Sequence, residues 1–344
     1  MQLAGKDGQV PASKTHYNFS RQYIQMRTRV RDERYIAWLF LLPNFLGFAI
    51  FTAGPVLFSL VVSFSNWNLQ RTVPFLWIGF ENYLELMRDQ QFWLYFINTL
   101  YLMLGMPVAI AGSLALALLL SQKLRGIVLY RTLFYLPSIT SGVALMILWK
   151  ALYNPDFGPI NAVIHTVSQT LGLDVKAPQW LLSTANLLGL DVEQVRLTAK
   201  QFGLGARDAL IIMGIWIAIG GNNMLLYLAA LTNVPQELIE AAQLDGAGKW
   251  SVFRNVTWPQ LAPTTFFIVV MSFIGGLQGG FEQARVMTGG GPAGTTTTLT
   301  YYIYTKAFEE FQIGYASAIS WILFAIIFVV TLINWKFGAK EVSY

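Results

Sequence analysis

The chain has 344 residues, 55% hydrophobic and 12% charged, with a mean hydropathy of +0.49, whereas soluble domains carry about a quarter charged residues. Lipid is therefore its main solvent, and the 15% aromatic share, with 11 Trp, suits rings at membrane interfaces. Zero cysteines exclude disulfides and thiolate metal sites, His16 and His165 leave almost no scope for a histidine metal cluster, and the net charge of +5 gathers beside apolar runs rather than in a nucleic-acid patch.

In chain order, residues 1–34 hold Lys6, Lys14, Arg21, Arg27, Arg29, Arg31 and Arg34. They lack the apolar core of a cleavable signal peptide and read as a flexible or surface-lying cytoplasmic arm. A spanning helix needs about 20 predominantly apolar residues. Six stretches qualify, at 36–64, 93–120, 127–149, 209–231, 264–284 and 315–335. The arm, Lys123, Arg125, Arg131, Lys249, Arg254, Lys336 and Lys340 place the larger share of basic residues on one side, so both termini are expected in the cytoplasm. The organisation is then an arm (1–34), an all-α membrane domain of six transmembrane helices (35–338) and a short cytoplasmic tail (339–344). The loop 150–208, on the outer side, is too long for a simple connector. Its second half, Leu187 to Leu197, mixes apolar and charged residues as a helix lying on the outer face would.

The segment 232–263, between two spans on the inner side, predicts two short helices. Asn233 with Gln236 three residues later, and Pro235 in the first turn, marks a helix start. Leu238, Ala241 and Ala242 share one face. Gly246-Ala247-Gly248 breaks the helix, and a second piece from Lys249 to Thr257 is expected to stop at Pro259. Helices of about ten residues are marginal alone, so this pair must dock, either on the chain's own spans or on a partner.

The run Glu240-Ala241-Ala242-Gln243-Leu244-Asp245-Gly246-Ala247, followed by Phe253, Val256, Pro259 and Pro263, resembles the EAA loop of binding-protein-dependent ABC importer permeases. The resemblance runs over nearly the whole chain and narrows to the sugar branch, of maltose and glycerol-phosphate type. It includes Leu41-Leu42-Pro43, Ser63-Phe64-Ser65-Asn66-Trp67-Asn68 and Gly79-Phe80-Glu81-Asn82-Tyr83. Asn98-Thr99, Arg131 to Pro137, Asn154-Pro155-Asp156-Phe157-Gly158 and Thr288-Gly289-Gly290-Gly291-Pro292 with its threonine run also belong to it. Trp258 stands where the pattern usually has Leu.

The resemblance implies type I ABC importer architecture in a bacterial or archaeal inner membrane. This chain would form half a channel with a second homologous permease. Two ATP-binding subunits would sit below and use the ATP and Mg, while an extracytoplasmic binding protein delivers a sugar-like solute. Glu240, Ala241, Ala242, Asp245, Gly246, Phe253 and Pro259 would couple to the ATPase, with Glu240 meeting a basic residue there and Gly246 providing the turn. The residues near 183–205 exceed the family's usual outer loop; they either fold over neighbouring loops or help the binding protein dock.

The chain itself is expected to bind no cofactor and to catalyse nothing. Gly248-Lys249 is followed by Trp250 where a P-loop needs Ser or Thr, and Gly289 to Gly294 fits G-x-G-x-x-G only with Pro292 inside it. Polar residues within spans are costly and often functional. Ser138, Thr140 and Ser141 follow Pro137; Asn222 and Asn223 follow Gly220-Gly221; Gln278 and Glu282 lie four apart. With Trp216 as an aromatic platform, Ser138, Ser141, Asn222, Asn223, Gln278 and Glu282 are candidates to line a sugar pathway. Helix-to-helix bridging is the alternative, and Gly275/Gly279 and Gly276/Gly280 match small-residue packing. A secondary transporter would need paired inverted repeats, which are not evident. A membrane-embedded glycosyl-transferring enzyme would need a carboxylate cluster, and the spans offer Glu282 alone.

Overall fold

The computed structural model describes residues 35–70, 74–122, 125–173, 175–189 and 202–338; the basic arm, residues 190–201 and the tail 339–344 lie outside them. The chain divides into two units, Met1–Val61 and Val62–Tyr344. The described part of the first is residues 35–61 of helix α1 (Tyr35–Val62), most of whose side chains are exposed, Phe40 and Phe51 at 80%. A π-turn at Ala49–Ala53 interrupts it, closed by the Gly54 N–H on the Ala49 carbonyl. Pro55 follows directly. A proline ring clashes with the carbonyl four residues back, and widening the preceding turn relieves that clash without ending the helix.

Among the described residues of the second unit the regular elements are all helices, with isolated bridges but no strand. Its elements are α2 (Glu81–Arg88), α3 (Gln90–Leu120), α4 (Ile127–Ile139), α5 (Gly142–Leu152), α6 (Pro159–Leu171), α7 (Ala206–Ile219), α8 (Asn222–Thr232), α9 (Gln236–Leu244), α10 (Lys249–Gln278), α11 (Leu299–Tyr304) and α12 (Ile313–Gly338). With α1, the segments α3, α7–α8, α10 and α12 are long and apolar enough to cross a membrane.

The stretch 127–149, expected as one span, is two helices meeting at 95°. Neither half, about 20 Å and about 16 Å at 1.5 Å per residue, crosses a hydrocarbon core of about 30 Å alone. Pro137 supplies no N–H, and the Ser138 and Thr140 hydroxyls bond the carbonyls of Tyr135 (2.8 Å) and Leu136 (2.9 Å). These local bonds finish α4, and Thr140 and Ser141 are extended before α5 begins.

The expected stop at Pro259 is absent: α10 runs unbroken from Lys249 to Gln278. The π-turn Phe253–Thr257, closed by the Trp258 N–H on the Phe253 carbonyl, repeats the arrangement before Pro55 and lets the helix continue. Helix α9 starts from Pro235, not from an Asn233 cap; Asn233 ends α8 instead.

At the long-loop end, several of the quoted sequence motifs interlock. The buried Asn82 amide donates to the Ser63 (2.8 Å) and Ser65 (2.9 Å) carbonyls. Asn98 donates to the Gly294 (2.8 Å) and Thr297 (3.1 Å) carbonyls, and the Thr99 hydroxyl accepts the Leu299 N–H at 3.1 Å. The four threonines 295–298 are thereby buried against α3. Asp89 caps α3 through Gln91 (2.8 Å) and accepts the Tyr302 (2.5 Å) and Tyr315 (2.8 Å) hydroxyls. Burial and this carboxylate push the Tyr302 phenol above its usual range. The first half of the loop 150–208 folds as α6, and Trp180 donates to Asn161 at 2.7 Å. Trp180 packs there with Trp149, Tyr153, Leu210 and Met287 in a common core. Most of the expected surface helix at 187–197 lies outside the described residues.

Candidate functional site

Two regions carry the candidate residues. At the short-loop end, α9 has no buried residue, with Leu244 89% exposed. Glu240, Ala241 and Asp245 are exposed on it and Ala242 is half-buried. The helix closes with Gly246 and Ala247 N–H groups on the Gln243 (3.0 Å) and Ala242 (2.9 Å) carbonyls. Gly246 sits at φ +83°, a conformation that costs an L residue about 1–2 kcal/mol. The chain then turns into α10, where Val252 and Thr257 are buried but Trp250 is 71% exposed. Phe253 is wedged between Trp250 and Trp258, with centroids at 5.4 and 6.3 Å. Pro259 follows half-buried. The start of α10 thus has buried residues, whereas α9, which lies against it, has none.

The second region is a convergence of helix breaks. The fourth span breaks at Gly220-Gly221, the fifth ends at Gly279-Gly280, and α4 meets α5 at Thr140-Ser141. The breaks touch. A Cβ on Gly220 would strike the Phe134 carbonyl, and one on Gly221 would lie 3.7 Å from the Ser138 Cβ. The Tyr135 hydroxyl donates to the exposed Asn222 amide at 3.3 Å. A Glu282 carboxylate oxygen lies 2.5 Å from where a Cβ on Gly142 would stand, over the start of α5. Negative charge is favoured at a helix start, and only a glycine gives it room. Broken backbone of this kind is tolerated at membrane depth where it is covered by protein or lines a cavity.

Beside the breaks lies a cavity of about 340 Å³ between α3, α7–α8 and α10. Its polar lining is Thr99, Asn223, Ser272, Gln283 and Thr298; of the candidates from sequence, only Asn223 reaches it. Gly275 opens into it, whereas Gly276 packs on Met103, 2.9 Å from the position of a Cβ. The remaining candidates, Asn222, Gln278, Glu282 and Trp216, are exposed. Trp216 meets Trp149 edge to face at 5.4 Å, Ser138 is committed to its own helix, and Ser141 precedes α5. Gln278 and Glu282 do not share a helical face as expected, because α10 ends at Gln278 and Gly280 turns the chain at φ +85°. Ser272 and Gln283 were not singled out in the sequence, although Gln283 stands next to Glu282.

A multi-span bundle with touching helix breaks and a projecting loop helix defines a membrane transport subunit. Residues 46–337 match the family described as binding-protein-dependent transport system inner membrane component, and the chain belongs to that family. It is 33% identical over 320 residues to the probable ABC transporter permease protein YesP of Bacillus subtilis (strain 168), covering 92% of this chain and 94% of that one. It is 31% identical to the multiple sugar-binding transport system permease protein MsmF of Streptococcus mutans, covering 89% and 96%. A bacterial ABC transporter involved in import of the acidic polysaccharide alginate shares the fold, with a TM-score of 0.73 at 22% identity over 92% of this chain and 99% of that one.

Proposed function

We propose that this chain is half of the translocation pathway of an ATP-driven importer for a sugar or sugar-like solute, with both termini cytoplasmic. A second, homologous permease completes the pathway. ATP and Mg are used by two partner subunits, and an extracytoplasmic binding protein delivers the solute. The observation that carries this reading is α9: a nine-residue helix with no buried residue and an apolar tip does not stand alone in water, and it is presented on a turn that requires Gly246. Glu240, Ala241, Ala242, Asp245 and Gly246 offer the docking surface to the ATPase, and Phe253 and Pro259 brace it against the spans. Asn222, Asn223, Gln278, Glu282 and Trp216, with Ser138 and Ser141 beside the bend, supply donors, acceptors and an aromatic ring where the helices break. That the relatives include a sugar permease supports the solute class.

The test is solute uptake and ATP hydrolysis by the assembled complex in proteoliposomes. Glu240→Ala and Gly246→Pro are expected to leave the chain inserted while separating hydrolysis from uptake or releasing the ATPase. Wild-type coupled uptake in both variants would remove α9 from this role.

A further inference from the structure

Arg285 and its aromatic neighbours are absorbed by none of these roles. Arg285 stands on the π-turn Gln283–Thr288, with its guanidinium 4.2 Å from the Tyr304 ring centroid and 5.8 Å from that of Phe281. The rings continue as a row: Tyr301, Phe281, Tyr304 and Phe308 follow one another at 5.9, 5.1 and 5.2 Å. The far end of the row, Phe308, stands on a second π-turn, Thr305–Glu309, which continues α11 from Tyr304. π-turns recur at functional sites, and here two of them carry one platform.

Among the described residues Arg285 has neither a hydrogen bond nor a carboxylate partner, whereas Lys306 pairs with Glu310 at 2.7 Å. A guanidinium held over a ring still has its N–H edge for a planar anion. Arg285 is exposed, two residues after Gln283, which lines the central cavity, and three after Glu282, which lies on the α4–α5 bend.

We infer that Arg285, with the Phe281–Tyr304 rings, is a recognition site for a carboxylate-bearing sugar, the rings taking the C–H face of a pyranose and the guanidinium its carboxylate. This deepens the pathway reading above and rests on it. Arg285 supplies one positive charge and Glu309 opposes it at the adjoining Tyr301, so the site suits at most a monoanion; a phosphate dianion would meet too little positive charge. The competing role is an interfacial aromatic belt with a solvated arginine.

The experiment uses the assembled transporter in nanodiscs, titrated with digalacturonate and with galactobiose, its neutral counterpart, and read by saturation-transfer NMR. Wild type is expected to bind digalacturonate about tenfold more tightly, the scale of a charge-assisted hydrogen bond. Arg285→Gln removes that preference and leaves galactobiose binding unchanged, and Arg285→Lys retains part of it. Equal binding of both probes by wild type overturns the proposal while leaving the pathway reading intact. So does a preference that survives in Arg285→Gln, or a loss of both probes together in that variant. Binding of neither probe by wild type also overturns this proposal, and the pathway reading, which names no particular sugar, is then decided by the uptake assay above. Co-purification of the partner subunits with each variant confirms that the complex under test is assembled.

Discussion

Replacing Asn98 by alanine probes the contact that holds the glycine- and threonine-rich turn on α3. Asn98 is fully buried, its Nδ2 donates to the Gly294 and Thr297 carbonyls, and its Oδ1 meets no partner, so it acts only as a donor. The Gly294 carbonyl keeps a second bond, from the Thr297 N–H at 3.2 Å. Losing one bond there and stranding the Thr297 carbonyl costs about 3 kcal/mol on soluble-protein values. Membrane double-mutant cycles average about 0.6 kcal/mol per bond and set a floor of about 1 kcal/mol. At about 2 °C per kcal/mol for a chain of this size, the midpoint falls by about 2–6 °C. Asn98→Asp is the sharper variant, because a carboxylate would put acceptors against two carbonyls in a buried site. The ordering wild type, then Asn98→Ala, then Asn98→Asp should appear in thermal unfolding of the purified complex. A midpoint unchanged within about 1 °C in Asn98→Ala, or an aspartate variant as stable as the alanine one, refutes the reasoning.

Gly220→Ala should lower expression and thermal stability, because its methyl would strike the Phe134 backbone carbonyl. Gly275→Ala meets nothing within 4 Å, so it should leave stability within about 0.5 kcal/mol while narrowing the cavity and slowing uptake; the reverse ranking would relocate the cavity's role. Tyr101→Phe deletes a 2.7 Å bond to the buried Asp208 and should destabilise by about 1–3 kcal/mol, measured by thermal melts of the purified complex. The purified chain, free of partners, should hydrolyse no ATP, and magnesium-dependent turnover by it would contradict the proposed division of labour.

Composition determined the solvent, in which backbone groups bond within helices or closed barrels, and apolar runs of about 20 residues then determined the helical class. Run length located the spans to within a few residues at 93–120, 209–231 and 315–335, because a hydrocarbon core imposes its thickness on the sequence. Gly246 marked the turn after α9, since a left-handed residue is a local property.

What pattern could not decide was how prolines and glycines act in context. Pro137 and Pro259 look alike in sequence, yet one precedes a 95° bend and the other sits in an unbroken helix. A π-turn precedes Pro259, while Ser138 and Thr140 hydroxyls consume the carbonyls that would continue the helix after Pro137. Gln278 and Glu282 lost their common face to Gly280 in the same way. The coupling of distant motifs, Asn98 to Gly294 or Glu282 to Gly142, and the stacking of Arg285 on Tyr304 are tertiary facts: they join residues that no local periodicity relates, and only the packing of the helix ends brings them within bonding distance.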